Sequence, residues 1–391
     1  MDEQRKKVLY VITKDDVGGA QKYVADLAAH LNRASFDARI VRGGADIPSL
    51  SNRIRWYALF LNDWWALFSL LRLYAREKPD IIHLNSSKAG VVGSFAAGLY
   101  KFACHMSHVA SPEIVFTAHG WVFNPSNKLS TFARFAYTFL HRLAAYFEDV
   151  IICVSEYDHA LALERAIAPT DKLVVIHNGI DYQNISFMDK VSARREIVQK
   201  LNLKLHTLHP AFPWIGSIGR LTKEKDYRTL IEAAVQVPDA YFFIIGEGPE
   251  KDYLKSQISH AYRQAGNLKI TDRFFIVPPT GADAKYLKAF DVFTLTSVKE
   301  GLPYALLEAG AAGIPAVVTD AGGMPEVVEH DRTGMVVPQK NPERLANAYT
   351  AVLSNPRHIH ALGAEAAERI ETQFGLKRMV EETEAVYRPL R

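Results

Sequence analysis

Cysteine is scarce in this chain, and so are long apolar runs. Only Cys104 and Cys153 occur among 391 residues, which excludes a disulfide-stapled scaffold and a cysteine-rich zinc module and fits a reducing cytoplasm. No apolar run reaches the roughly 18 residues of a membrane-spanning helix, and the run after the first basic residues is too short for a signal peptide. We therefore expect a cytoplasmic chain without a membrane-spanning helix.

A large net charge is also missing. The 46 Lys and Arg residues nearly balance the 43 Asp and Glu residues, for a net charge of +3, so we expect no nucleic-acid partner. The chain has no Asp-x-Asp pattern and no GxGxxG fingerprint, which argues against an Asp-bound metal and against a dehydrogenase. We expect no metal and no cofactor, so Arg, Lys and helix amino ends must meet the charge of any anionic ligand.

Short apolar runs alternate with helical stretches along the whole chain, six runs in each half. Alternation of this kind predicts parallel sheets with right-handed crossovers. The runs cover residues 8–13, 38–41, 80–84, 114–117, 150–154, 173–176, 214–218, 241–245, 274–277, 292–296, 316–318 and 335–337.

The pattern predicts an α/β protein with two tandem, doubly wound, Rossmann-like domains. We place an amino-terminal acceptor domain at residues 1–185 and a carboxyl-terminal donor domain at 186–370. Residues 371–391 form a last helix that returns to the first domain. Open α/β sheets bind ligands at the carboxyl ends of their strands, so we expect a cleft where the two sets of strand ends face each other.

Polar residues follow several of the predicted strands. Gly18 and Gly19 stand before a helix, where a ligand could approach the backbone closely, although a plain turn explains them equally well. His119 follows the fourth strand in TAHGW, where it could bind a sugar hydroxyl or be a core histidine. Arg220 and Lys225 follow the seventh strand and suit a diphosphate, the alternative being solvated loop charges.

The richest segment is EGLPYALLEA. Its two carboxylates, Glu300 and Glu308, lie eight positions apart, and the turn at Gly301 and Pro303 precedes a helix. Peptide groups at that helix start could receive a phosphate or a sugar hydroxyl. Glu308 sits in an apolar helix and needs a partner, which a ribose or a salt bridge would supply.

EGLPYALLEA, together with GGMPEVV, TGMVVP, GRLTKEKDY, VIHNGID, GEGP and GGAQ, resembles the signature of retaining glycosyltransferases of family 4, which have the GT-B fold. HLNSSKAG and TAHGWVF resemble the members that build bacterial capsular, exopolysaccharide or lipid-linked glycans. The resemblance extends over essentially the whole chain.

The resemblance implies roles for the second half. Arg220 and Lys225 would hold the diphosphate of the donor, Glu300 would engage the donor sugar and phosphate, and Glu308 would bind the ribose. The peptide groups that would act with Glu300 are those of Gly301, Leu302 and Pro303.

In the first half, the resemblance implies that Gly18 and Gly19 let the first loop approach the donor phosphates and that His119 contacts the donor sugar near the reacting carbon. The implied reaction moves a sugar from a nucleoside diphosphate, with UDP favoured, to an acceptor hydroxyl with retention and without a metal. Lipid-linked sugars are the implied acceptors. A GT-B sugar-nucleotide epimerase, a catalytically silent GT-B binding protein and a synthase with a soluble acceptor are the alternatives.

One stretch of the first half is basic and aromatic. Between residues 50 and 142 there are ten Lys or Arg against four acids. Aromatic and basic residues alternate in residues 53–76 and 128–147. Such segments suit an anionic membrane surface, although core helices with solvated faces or an oligomer interface give the same pattern. We therefore expect peripheral attachment to the inner face of the cytoplasmic membrane.

Overall fold

The computed structural model describes residues 5–13, 18–43, 46, 61–204, 208–264 and 272–388. Within these ranges the chain forms two compact units. Unit 1 contains residues 1–178 and 376–391, and unit 2 contains residues 179–375. Arg53 and Arg55 of the basic stretch lie outside the described residues.

Unit 1 is built on a six-stranded parallel sheet. Its strands are β1 (Lys6–Ile12), β2 (Phe36–Arg42), β3 (Ile81–Asn85), β4 (Glu113–Ala118), β5 (Val150–Cys153) and β6 (Leu173–Val175). Its helices are α1 (Gly19–His30), α2 (Leu61–Glu77), α3 (Ser87–Met106), α4 (Thr131–Ala145) and α5 (Glu156–Glu164), to which α13 (Leu376–Val386) is added from the far end of the chain.

Unit 2 repeats this architecture with a second six-stranded parallel sheet. Its strands are β7 (Trp214–Ile218), β8 (Tyr241–Ile245), β9 (Phe274–Val277), β10 (Val292–Leu295), β11 (Ala316–Thr319) and β12 (Gly334–Val337). Its helices are α6 (Lys190–Lys200), α7 (Tyr227–Val235), α8 (Lys251–Gln264), α9 (Tyr304–Ala311), α10 (Met324–Val327), α11 (Pro342–Leu353) and α12 (Pro356–Gln373).

Both sheets are doubly wound. The strand order is β2-β1-β3-β4-β5-β6 in unit 1 and β12-β11-β10-β7-β8-β9 in unit 2. The order reverses direction between β1 and β3 in the first sheet and between β10 and β7 in the second. These are the topological switch points at which open α/β sheets bind ligands.

Apolar strand sequences produce the two cores. Every residue of β3 and of β8 is buried, because helices cover both faces of a parallel sheet and leave neither face to water. The two cores contain mainly Val, Ile, Leu, Phe and Ala from the strands and from the inner faces of the helices.

All twelve predicted apolar runs contain strands, and the predicted α/β class with two doubly wound sheets is confirmed. The sequence pattern predicts helices at residues 190–203, 227–235 and 342–353. The second and third have the observed bounds, whereas the first ends at Lys200. Within the described ranges, no helix combines the length and the apolar composition needed to cross a bilayer.

Candidate active site

The clearest polar cluster of unit 2 lies at its switch point, where β7 and β10 end. Lys225 belongs to a short 3-10 helix, Lys223–Lys225, that precedes α7, and Glu300 lies in the loop between β10 and α9. The Lys225 Nζ lies 2.5 Å from the Glu300 Oε1, and both side chains are mostly buried. The Ser297 hydroxyl donates to the same carboxylate oxygen over 2.5 Å.

Backbone and side-chain hydrogen bonds hold these two loops together. The Val298 N–H donates to the Glu224 carbonyl over 2.8 Å. The Thr296 hydroxyl donates to the carbonyls of Lys225 and Asp226 over 2.9 and 3.1 Å. Lys225 and Glu300 are therefore positioned by the loops themselves, before any ligand binds.

The charge on Lys225 is supported by its neighbour. Burial alone would lower the pKa of this ammonium, but Glu300, together with Tyr227 and Glu224, more than offsets that effect and the pKa is raised. Lys225 therefore stays protonated and is held in one position by its ion pair. Arg220 differs, since 60% of its side chain is exposed and its nearest carboxylate, Glu224, lies 4.0 Å away. Its guanidinium can reach a ligand without breaking a strong ion pair.

The loop after β11 packs against the Glu300 loop from the other side. Gly322 has a φ of +56°, and a Cβ added there would lie 2.0 Å from the Glu300 carbonyl oxygen. The Gly323 N–H donates to the Gly301 carbonyl over 2.8 Å. Three neighbouring strands, β7, β10 and β11, thus bring their following loops to one place.

Helix α9 begins directly after this turn. Pro303 is the residue before its first turn, and the side chain of Leu302 is buried beneath the turn. We expected the peptide group of Pro303 to act with Glu300, but proline has no N–H and cannot donate to a ligand. Of the three residues at this turn, only Gly301 and Leu302 have a backbone N–H. Glu308 lies partly buried in the middle of α9.

The described residues of unit 1 show a second polar cluster, also at the switch point. His119 follows β4, and its Nε2 lies 3.0 Å from the Oδ1 of Asn85, the last residue of β3. The Tyr23 ring packs edge-on against the imidazole with its centroid 4.8 Å away. Burial lowers the pKa of His119 to about 3, so the ring is neutral near neutral pH.

A buried network lies beneath His119. The His83 imidazole contacts the Thr117 hydroxyl over 2.6 Å and the Tyr387 hydroxyl over 2.5 Å. Tyr387 in turn donates to the Tyr10 hydroxyl over 3.0 Å. Sequence reasoning missed both residues: His83 lies inside the apolar run at 80–84, and Asn85 directly follows that run as the last residue of β3.

The first loop is described only in part. Gly18 precedes α1 with an extended backbone, and Gly19 is the first residue of the helix. A Cβ on Gly18 would meet only the end of the Gln21 side chain, so the fold itself does not require glycine there. Near this loop, the hydroxyls of Thr13 and Ser86 form a hydrogen bond that joins the ends of β1 and β3.

Each unit therefore has polar groups at the position where its fold binds ligands. Unit 2 offers a paired lysine, an exposed arginine and a helix start, which suit an anionic ligand. Unit 1 offers a neutral histidine. Among the described residues, no group of three or more His, Cys, Asp or Glu is placed to hold a metal ion.

Comparison with known proteins identifies the family. Residues 17–184 match the model "Glycosyltransferase Family 4", and residues 206–369 match "Glycosyl transferases group 1". A curated relative from Escherichia coli, UDP-Gal:alpha-D-GlcNAc-diphosphoundecaprenol alpha-1,3-galactosyltransferase, is 27% identical over 349 residues, which cover 87% of this chain and 82% of the relative.

Solved structures share the fold. Sucrose-phosphate synthase from Thermosynechococcus elongatus superposes with a TM-score of 0.79 at 20% identity over 99% of both chains. HepE from Anabaena, solved with UDP-glucose, superposes with a TM-score of 0.73 at 19% identity over 97% of this chain and 98% of its own. The chain therefore belongs to glycosyltransferase family 4 and is a glycosyltransferase with the GT-B fold.

Proposed function

We propose that this glycosyltransferase moves a sugar from a UDP-sugar to a hydroxyl group of a lipid-linked sugar, with retention of the anomeric configuration. The observation that carries the proposal is the Lys225–Glu300 pair at the switch point of unit 2, next to the exposed Arg220. A cation held in place by its own carboxylate is suited to a diphosphate that gains charge as it leaves.

The donor diphosphate binds at this cluster in the proposed complex. Arg220 supplies a forked contact and Lys225 a point charge. The N–H groups of Gly301 and Leu302, at the start of α9, face the phosphate and sugar. Glu308 accepts hydrogen bonds from the ribose.

In unit 1, Gly18 and Gly19 leave room for the donor phosphates, and His119 contacts the donor sugar. Both roles come from the family resemblance. The extended Gly18 backbone and the position of His119 after β4 are compatible with them.

The proposed chemistry needs neither a metal nor a covalent intermediate. The bond between the anomeric carbon and the departing phosphate oxygen breaks, and the acceptor oxygen bonds to the same face of that carbon. The acceptor proton passes to the departing phosphate. Lys225 and Arg220 stabilise the charge that develops on the leaving group. Exclusion of water then limits hydrolysis of the donor.

The nucleotide and acceptor are proposed from relatives. The Escherichia coli relative is named for a UDP-galactose donor and a diphosphoundecaprenol-linked acceptor, and HepE was solved with UDP-glucose. The fold alone does not select the acceptor, because sucrose-phosphate synthase shares it.

A hydrophobic surface on unit 1 supports the proposal that the acceptor is linked to a lipid. On α4, Phe132, Phe135, Phe139 and Leu143 form an exposed stripe. Helix α3, which packs against α4, and helix α2, which packs against α3, add further large exposed side chains. These are Trp64, Trp65, Phe68, Leu99, Phe102 and Met106.

The charge around this surface is positive. No Asp or Glu occurs between Glu113 and Glu148, whereas Lys128, Arg134 and Arg142 do. Exposed aromatics flanked by basic residues bind the interface of an anionic bilayer. We therefore propose that this surface places unit 1 on the membrane that carries the acceptor.

The reaction is tested by a screen of nucleotide sugars, scored by release of nucleoside diphosphate with and without a polyprenyl-diphosphate sugar. We expect release of UDP that depends on the acceptor, and a product of retained configuration. Isomerised sugar nucleotide without acceptor would indicate an epimerase, and no turnover with any pair would indicate a binding protein. Either result contradicts the proposal.

Substitutions locate the site in the same assay. Lys225→Met and Arg220→Ala should each lower kcat/KM by about a hundredfold or more, since each removes a charge-assisted contact to the leaving group. Lys223→Met is the matched control, because this exposed lysine lies in the same short helix. Equal activity of all three variants would contradict the diphosphate site.

The membrane surface is tested by flotation with vesicles of phosphatidylcholine containing phosphatidylglycerol, against phosphatidylcholine alone. Replacing Phe132 and Phe135 together by Ser should weaken binding to the anionic vesicles by about tenfold or more. Val191→Ser, at an apolar residue of unit 2 that is 60% exposed, should leave binding unchanged. Binding that depends neither on lipid charge nor on the two phenylalanines would contradict the proposed membrane surface.

A further inference from the structure

We propose that Asn85 is a positioning residue that fixes the tautomer of His119, so that His119 Nδ1 accepts a hydrogen bond from a hydroxyl group of the donor sugar. The identity of the ligand rests on the proposed function. The assignment of the tautomer rests on unit 1 alone.

The two residues meet because of the sheet order. Asn85 ends β3, and Thr117 lies beside it in the neighbouring parallel strand β4. His119 follows Thr117 by two positions, which brings its Nε2 to 3.0 Å from the Asn85 Oδ1. The side chain of Asn85 is fully buried, so water does not compete for this contact.

A second hydrogen bond fixes the orientation of the Asn85 amide. Its Nδ2 donates to the His83 backbone carbonyl over 3.2 Å. A carbonyl can only accept, so the NH2 group must face His83 and the Oδ1 must face His119. The amide oxygen also can only accept, and the hydrogen of the neutral imidazole must therefore sit on Nε2.

The imidazole is neutral because its surroundings are apolar or uncharged. Burial lowers the pKa of His119 to about 3. Its titratable neighbours are His83 on β3, which interacts with it electrostatically, and Tyr23 on α1. Burial lowers the pKa of His83 to about 3 and raises that of Tyr23 to about 12, so both are neutral as well.

This tautomer restricts what His119 can bind. With the hydrogen on Nε2, the Nδ1 has a lone pair and can only accept. A sugar hydroxyl can donate to it, whereas a carbonyl or a phosphate oxygen cannot. Positive charge that develops on the sugar ring makes its hydroxyls better donors, so the contact strengthens as the reaction proceeds.

Two substitutions of Asn85 separate positioning from folding. Asn85→Leu removes the acceptor, and kcat/KM should fall by about tenfold, the effect of one hydrogen bond. In a His119→Ala background the same change should have no further effect, because Asn85 acts through His119. Ser94→Ala, which removes a buried hydroxyl bonded to Glu148 elsewhere in unit 1, should leave activity unchanged in both backgrounds.

Asn85→Asp keeps an acceptor at the same place but adds a negative charge. The carboxylate raises the pKa of His119, and the protonated ring has a hydrogen on both nitrogens and cannot accept. This variant should therefore lose activity at about pH 6 and recover it towards pH 9. The activity of the unaltered chain should show no such loss at pH 6. Identical pH profiles, or additive losses in the His119→Ala background, would overturn the proposal.

A direct measurement does not depend on activity or on the stability of variants. In the unaltered chain with 15N-labelled histidine, long-range 15N–1H spectra distinguish the two neutral tautomers, and His119→Gln assigns the signal. We expect hydrogen on Nε2, and hydrogen on Nδ1 would overturn the proposal. If the protein transfers no sugar, the proposed function fails, but this spectrum still decides the tautomer.

Discussion

Glu148 is a buried acid that precedes β5 and belongs to neither cluster of the candidate site. The residue is 2% exposed, and the Ser94 hydroxyl donates to its Oε1 over 2.7 Å. Burial raises the pKa of Glu148 to about 8. The folded protein therefore holds a proton on this group that the unfolded chain releases near pH 4.5, and stability contributed by this group is lost as pH rises between those values.

Replacing Glu148 by Gln removes this dependence. The variant should be more stable than the unaltered chain at pH 8 and about equal at pH 5, a difference that grows by up to about 1.4 kcal/mol per pH unit within the window. Urea unfolding at the two pH values measures it. Buried histidines act in the opposite direction on acidification, but they are common to both proteins and cancel. A gap of the same size at both pH values would contradict the protonated state.

Single residues of the site were predictable where they belong to a recognisable sequence motif. Lys225 and Glu300 stand in recognisable segments, but their contact across 75 positions depends on β7 and β10 being neighbours, which no local pattern reveals. Asn85 was not predictable, because a polar residue at the end of an apolar run has no signature until its partner is known.

At the scale of elements, the turn between β11 and α10 determines where the Glu300 loop lies. Gly322 adopts a left-handed φ of +56°, and the space for its Cβ is filled by the Glu300 carbonyl oxygen. The backbone of the Gly322 turn therefore packs directly against the backbone of the Glu300 loop. A side chain at this position would shift the Glu300 backbone and disturb the contact of Glu300 with Lys225.

Gly322→Ala should therefore impair both stability and donor binding. The left-handed backbone alone costs about 1–2 kcal/mol, and the clash with the Glu300 carbonyl adds to it. Gly313→Ala is the matched control, since its φ is +72° and its Cβ would have no neighbour closer than 3.8 Å. Thermal unfolding and titration with UDP compare the two. Equal UDP affinity in both variants would show that the turn does not position the loop.

The elements themselves follow closely from the sequence. The strands were predictable because a strand covered by helices on both faces is an uninterrupted apolar run. The ends of helices were less predictable. The sequence pattern places the end of α6 at residue 203, but the helix ends at Lys200. Local hydrogen bonds rather than hydrophobic periodicity stop it there. The exposed stripe of α4 was foreseen as a basic, aromatic segment, but its exposure required the fold.

At the scale of the whole molecule, unit 1 is assembled from both ends of the described chain. Tyr387, just after α13, accepts a hydrogen bond from Lys6 at its carbonyl, and its hydroxyl contacts His83 and Tyr10. Glu384 of α13 accepts the Asn32 N–H over 2.7 Å. The last helix therefore completes the polar interior of the first sheet.

Removal of residues 376–391 should destabilise unit 1 selectively. His83 and Tyr10 would lose a buried partner, at about 1–3 kcal/mol for each group left without one, and apolar contacts of α13 would go with them. Hydrogen exchange should show faster exchange in β1 and β3 while β8 and β10 of unit 2 keep their protection. Tyr387→Phe should give a milder change of the same pattern. Unchanged protection of β1 in both variants would contradict this.

The division of the chain also sets an order of events during synthesis. Unit 2 is one continuous stretch and can fold as it leaves the ribosome, but Tyr387, the shared partner of His83 and Tyr10, emerges roughly 200 residues after the first part of unit 1. At about 5–20 residues per second, the nascent first sheet waits about 10–40 s for its final helix. During that interval it is the segment of the growing polypeptide most in need of a chaperone.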